Sequence, residues 1–186
     1  MQVFCEEVKK GNPIYVITGG PGFGKSALTD YLKKLGYKTG EESAREIIRE
    51  QRKIDGDILP EKNIRLFQNE VLKRRLEFYQ SVGNNEIAFA DRAIPDQIAF
   101  TRFKGFDTPE ILARYANECR YNEKVFITPP WKEIYKNDTE RTEPFEKSYE
   151  LHYVIVNVYE ELGYSLIELP YADVPQRAEF ILNLIV

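Results

Sequence analysis

The stretch GGPGFGKS, from Gly19 to Ser26, constrains the fold more than any other part of the chain. It puts four glycines in six positions between a β-branched apolar run, IYVIT, and an amphipathic segment that begins at Lys25. Glycine lets the backbone wrap without Cβ collisions, so successive N–H groups turn inward and join the following helix N-terminus in one anion nest. The pattern satisfies G-x-x-x-x-G-K-[ST], and such a loop holds phosphate only when a buried strand precedes it and a helix follows it. The expected ligand is the polyphosphate of ATP, cradled by Gly19, Gly20, Pro21, Gly22, Phe23, Gly24, Lys25, Ser26 and Ala27. Lys25 would reach the β- and γ-phosphates and Ser26 would ligate Mg²⁺. The alternative reading is a Gly-rich turn with no ligand.

The rest of the chain alternates short apolar runs with longer segments of helical period. Strands are predicted at 13–18, 36–40, 86–90, 124–128 and 164–169, and helices near 25–35, 43–53, 61–81, 95–104, 109–119, 144–162 and 174–186. Strands separated by helices imply parallel crossovers, hence an α/β fold whose parallel sheet is covered on both faces. Gly36 and Gly163, each followed by tyrosine, read as helix C-caps, and Pro60 reads as the first turn of the 61–81 helix. On that helix Arg65, Lys73, Arg74 and Arg75 read as a solvated face. With 186 residues and no linker or repeat, the chain is expected to form a single domain over residues 1–186.

A formal net charge of −4 argues against nucleic acid as a partner. No stretch is long and apolar enough for a membrane span, and the N-terminus carries no signal-peptide pattern, so a cytoplasmic protein is expected. Cys5 and Cys119 read as isolated thiols, and the single histidine, His152, as a helix-face residue.

A phosphate loop needs a second support for its metal, usually an acid at the end of a neighbouring strand. Asp91 ends the run EIAFA and precedes Arg92, which makes it the Walker B candidate, holding Mg²⁺ with Ser26. Asp96 reads as a residue near the helix N-cap. Glu42 falls at the C-terminal end of the second strand, where open parallel sheets place their ligand crevice. It is either a general base with Arg45 on an acceptor or phosphate oxygen, or part of a salt-bridged helix whose Arg45, Arg49 and Arg52 share one face. A charged segment at about 129–147 reads as a lid with Arg141 as its cation, or as a solvated loop.

Together GGPGFGKS, EESARE, ADRAIPD and PPWKEIYKNDTERTE with YEELGYSLIELP resemble the P-loop AAA-like ATPase/kinase family that includes the nicotinamide riboside kinase domain of a bacterial NAD regulator. The resemblance runs from about residue 13 to the C-terminus. It implies a three-layer P-loop NTPase fold with a five-stranded parallel sheet in the order 2-3-1-4-5. It also implies Glu42 as base and Asp91 with Arg92 as an acid–arginine pair, as in the similar deoxynucleoside kinases. The chain carries no separate signature for the acceptor.

The expected activity is transfer of the ATP γ-phosphate to a hydroxyl of a small, nucleoside-like molecule. Lys25, Glu42, Asp91, Arg92 and Arg141 would be catalytic, and Glu42, Arg45 and Arg92 would face the acceptor. The alternatives are an ATPase or GTPase switch and a non-catalytic nucleotide-binding module. ATP is favoured over GTP because YKND, at 135–138, has Tyr135 where a guanine-recognition tetrapeptide has Asn or Thr.

Overall fold

The computed structural model describes residues 12–135 and 144–185. Five strands, β1 (Ile14–Thr18), β2 (Lys38–Gly40), β3 (Ala88–Asp91), β4 (Lys124–Ile127) and β5 (Ser165–Glu168), form one sheet in the order β2-β3-β1-β4-β5, and every pairing is parallel. Both faces are buried, which is why β1, β3 and β4 read as unbroken apolar runs. Ile14, Val16, Ala88, Ala90 and Val125 point to one face; Ile17, Phe89 and Phe126 point to the other.

Among the described residues seven α-helices surround the sheet: α1 (Lys25–Lys34), α2 (Ser43–Lys53), α3 (Ile64–Ser81), α4 (Ile94–Phe103), α5 (Glu110–Glu118), α6 (Phe145–Glu161) and α7 (Val174–Ile185). The face of Val16 packs on α3, α4, α5 and α6, and the face of Ile17 on α1 and α7. Helix α2 leans on α3 through Ile47, Phe67 and Val71. The result is the α/β fold with a covered parallel sheet expected from the sequence pattern, in the three-layer arrangement and strand order that the resemblance implies.

Gly36 and Gly163 cap α1 and α6 at φ 96° and 75°. In both caps the following tyrosine N–H bonds a carbonyl of the last turn, Tyr37 to Leu32 and Tyr164 to Tyr159. Three expectations need correction. Helix α3 starts at Ile64, not at Pro60, because the Asn63 side chain accepts the Leu66 N–H at 3.1 Å and caps the helix there. Arg75 is buried against Gln97 instead of solvated. Cys119 is buried and disulfide-bonded, its partner lying outside the described residues. No helix among the described residues is long and apolar enough to cross a membrane.

Candidate active site

The glycine-rich loop leaves the C-terminal end of β1, between β3 and β4, and enters α1 through Gly24, its N-cap, at φ 80°. At the other end of the loop Gly19 has φ 126°, and a Cβ there would lie 2.7 Å from the Thr128 carbonyl oxygen and closer still to its hydroxyl. Glycine is required at both positions, for backbone conformation and at Gly19 also for space. Between them Phe23 is buried in a ring cluster with Tyr135, Phe145 and His152, so the loop is anchored on α6.

The fold brings Ser26 and Asp91 together: the Ser26 hydroxyl donates to Asp91 Oδ2 at 2.8 Å. Asp91 Oδ1 is buried with no hydrogen-bond partner. Burial, then the Glu42 charge, push the Asp91 carboxyl up to about 6. An orphaned carboxylate oxygen beside a hydroxyl is a fitting donor pair for a hard divalent cation that completes its shell with phosphate and water. No group of three or more His, Cys, Asp or Glu side chains among the described residues makes a closed protein cage.

Lys25 is buried and donates to the Gly20 carbonyl at 2.7 Å. Burial, then Arg92, push its ammonium down to about 7. The Gly20 N–H in turn points at His152 Nδ1, 3.4 Å away on α6. Burial, then Lys25, push this imidazole down to about 4, which keeps Nδ1 an acceptor.

Arg92 joins the loop to the second acid. It sits in left-handed backbone at φ 71°, buried, with Nε on Glu42 Oε1 at 3.1 Å and Nη1 on both the Gly19 carbonyl (3.1 Å) and Asp96 Oδ1 (3.0 Å). Glu42, at the N-cap of α2, makes no capping bond with its side chain; its other oxygen pairs with Arg45 Nε at 3.2 Å. Burial pushes Glu42 up, but Arg92, Lys25 and Arg45 outweigh it and hold the carboxylate below its ordinary range. Thus Glu42 is ionised at neutral pH and faces the crevice, sharing a cavity of about 130 Å³ with Ser26, Arg45, Arg49 and Asp91.

A larger cavity of about 530 Å³ opens beside it between α2, α3 and the ends of β2 and β3, lined by Glu41, Ser43, Glu46, Arg74, Arg75 and Arg92 among others. Its volume falls in the range of small-ligand pockets, roughly 300–1,000 Å³. Arg74 ties its walls together through Glu50 on α2 and Glu70 on α3.

Asp96 is more than the cap-region residue the sequence suggested. Fully buried, it accepts from Thr18 Oγ1 (2.5 Å), Arg92 Nη1, the Ala93 N–H (2.8 Å) and Tyr159 Oη (2.6 Å), so it locks β1, α4 and α6 around Arg92. Its position three residues into the helix was a legible capping signal; the bonds to Thr18 and Tyr159 had none. Arg177 on α7 also lies against the loop, with Nη1 3.0 Å from where a Gly24 Cβ would be, and sequence reasoning gave it no role. Arg141 and the middle of the lid expected at 129–147 lie outside the described residues, whereas its start forms a short 3₁₀ turn at Lys132–Ile134 and its end belongs to α6.

A family profile described as AAA domain matches residues 14–177. No curated protein sequence matches this chain. Among solved structures, a deoxyadenosine kinase from M. mycoides with the products dCMP and a flexible dCDP bound has a TM-score of 0.66 at 19% identity, over 92% of this chain and 97% of that one. NadR protein in complex with NR has a TM-score of 0.67 at 16% identity, over 94% of this chain but 50% of that one. Shikimate kinase from Acinetobacter baumannii in complex with shikimate has a TM-score of 0.57 at 17% identity, over 95% and 94%. At these identities the likeness is one of fold.

Proposed function

The chain belongs to the AAA domain family, and from that premise we propose that it is a Mg²⁺-ATP-dependent kinase of a small, nucleoside-like hydroxyl compound. One observation carries the reading: Glu42, ionised and turned into the crevice, is held by the same Arg92 that bonds the Gly19 carbonyl of the phosphate loop. A base and a phosphate site fixed to one guanidinium are what transfer to a positioned acceptor requires, since positioning supplies much of the rate.

In this reading the body of the acceptor occupies the 530 Å³ cavity and its hydroxyl extends to Glu42 in the smaller cavity beside it. Its oxygen attacks the γ-phosphorus, its proton passes to Glu42, and ADP leaves. Lys25 moves from the Gly20 carbonyl to the phosphates, and a polyanion beside it favours its protonated form. Ser26 and Asp91 would hold Mg²⁺, which when bound neutralises phosphate charge. Arg92 stays a clamp for Glu42 and the loop, because Glu42 already engages its Nε, and the Gly19 carbonyl and Asp96 its Nη1. Arg45 steers the other Glu42 oxygen.

The test is a radiolabelled-ATP screen of nucleosides and related alcohols with the wild type, Glu42→Gln and Lys25→Ala. Label should pass to an acceptor, and Glu42→Gln should cut kcat about 10²- to 10⁴-fold while ATP affinity survives. Release of inorganic phosphate alone, unchanged by Glu42→Gln, would refute the kinase in favour of a hydrolase.

A further inference from the structure

Helix α7 carries a guanidinium with too little to hold. Arg177 is only 3% exposed, yet its Nε and Nη1 have no hydrogen-bond partner. Asp173, the acid just before α7, is engaged in capping that helix, accepting the Gln176 N–H at 2.9 Å. The Trp131 ring covers the guanidinium at 5.8 Å. A buried cation left in this state is costly, and its persistence calls for a ligand.

The direction of the side chain says which. Nη1 and Nη2 lie 3.0 and 3.1 Å from the position a Gly24 Cβ would take, so the fork rests on the N-cap of α1, the end where an anion collects. Gly24 leaves the gap through which the two can approach. Lys25, the first residue of α1, reaches the loop at the Gly20 carbonyl, whose residue also meets His152 of α6.

We propose that Arg177 is a polyphosphate contact, its Nε and Nη1 donating to anionic oxygens of a phosphate chain seated on the N-terminus of α1, with Trp131 holding the guanidinium plane. This rests on the reading of Gly19–Ser26 as a polyphosphate site. It gives to a rigid helix the cationic role that the sequence assigned to Arg141 of the lid. The shared chemistry is a phosphate chain, whether free or part of a nucleotide.

Trp131 is the only tryptophan and therefore reports on the contact. Its emission is followed while wild type, Arg177→Met, Arg177→Lys and Lys25→Ala are titrated with tripolyphosphate, MgATP and adenosine. Arg177→Met should weaken tripolyphosphate and MgATP about 10- to 100-fold and leave adenosine unchanged, and Arg177→Lys should recover part of the loss. Equal weakening of both polyphosphates marks the chain itself as the ligand; weakening of MgATP alone makes it a nucleotide contact. The apo Arg177→Met protein should also melt higher than wild type, since the unpaired buried charge is gone.

Unchanged affinity for tripolyphosphate and MgATP in a folded Arg177→Met protein would overturn the proposal, as would weakening of adenosine by the same factor. If Lys25→Ala abolishes binding while Arg177→Met does not, this inference alone fails. If wild type binds neither polyphosphate, the underlying reading of the loop fails with it.

Discussion

Asp96 and His152 show how much a single buried side chain decides here. Asp96 satisfies Arg92, Thr18, Tyr159 and a helix N-terminus at once, so removing its charge leaves a buried guanidinium with Glu42 and the Gly19 carbonyl alone. Asp96→Asn is expected to cost about 3–5 kcal/mol of stability in urea unfolding, the range for breaking a buried ion pair. His152 is neutral in the fold, with its pKa pushed down to about 4 from an ordinary 6.5. The unfolded chain therefore binds the extra proton first as pH falls, so the stability from neutral His152 is present above about 6.5 and drains away toward 4. The full effect is on the order of 3 kcal/mol. Urea midpoints measured across that window should fall with acidification, and His152→Gln should flatten this part of the profile. The chemical types at Lys25, Ser26, Glu42 and Asp91 were legible in the sequence because each sits at a fixed offset from a strand end. Asp96 and His152 were under-read, since their partners come from other layers.

At the level of elements, the join between β1, the glycine loop and α1 bears the tightest constraint. Gly19 combines φ 126° with a close approach to Thr128 on the neighbouring β4 connection, where the Thr128 N–H also bonds the Thr18 carbonyl. Gly19→Ala is expected to lose about 2–6 kcal/mol, combining backbone strain with overpacking, and to abolish nucleotide binding. Urea unfolding and calorimetric titration with MgATP check both parts. A nearly normal urea midpoint would mean that the loop yields where the geometry says it cannot. The five strands and seven helices were legible because apolar period and glycine caps are local signals. The start of α3 was misread because Pro60 and Asn63 both offer start signals, and the capping bond to Leu66 decides for Asn63.

For the whole molecule, the buried site sets three acids, Glu42, Asp91 and Asp96, against two cations, Lys25 and Arg92, with Arg177 unpaired at its edge. Binding of MgATP would give Asp91 Oδ1 and the Arg177 guanidinium the partners they lack, and should therefore stabilise the fold. At a MgATP concentration of 100 Kd the stabilisation is about 2.7 kcal/mol, or a rise of roughly 5–10 °C in Tm for a chain of this size. Differential scanning fluorimetry should show that rise in wild type and lose most of it in Lys25→Ala. Omitting Mg²⁺ should reduce it, because Asp91 Oδ1 then keeps no partner.

The sequence by itself determined the phosphate loop, the parallel sheet covered on both faces and the acids at the strand ends. Each of these follows from residues within a few positions of one another, where backbone geometry and side-chain period are set locally. Tertiary structure alone decided that Asp96 would lock β1 to α6, that His152 would face Gly20 across 132 residues, and that Arg177 would rest unpaired on Gly24. The physical reason is that a helix's apolar stripe fixes which face it buries, whereas the crossing of helices on a twisted sheet fixes which distant polar side chain that face brings to the loop.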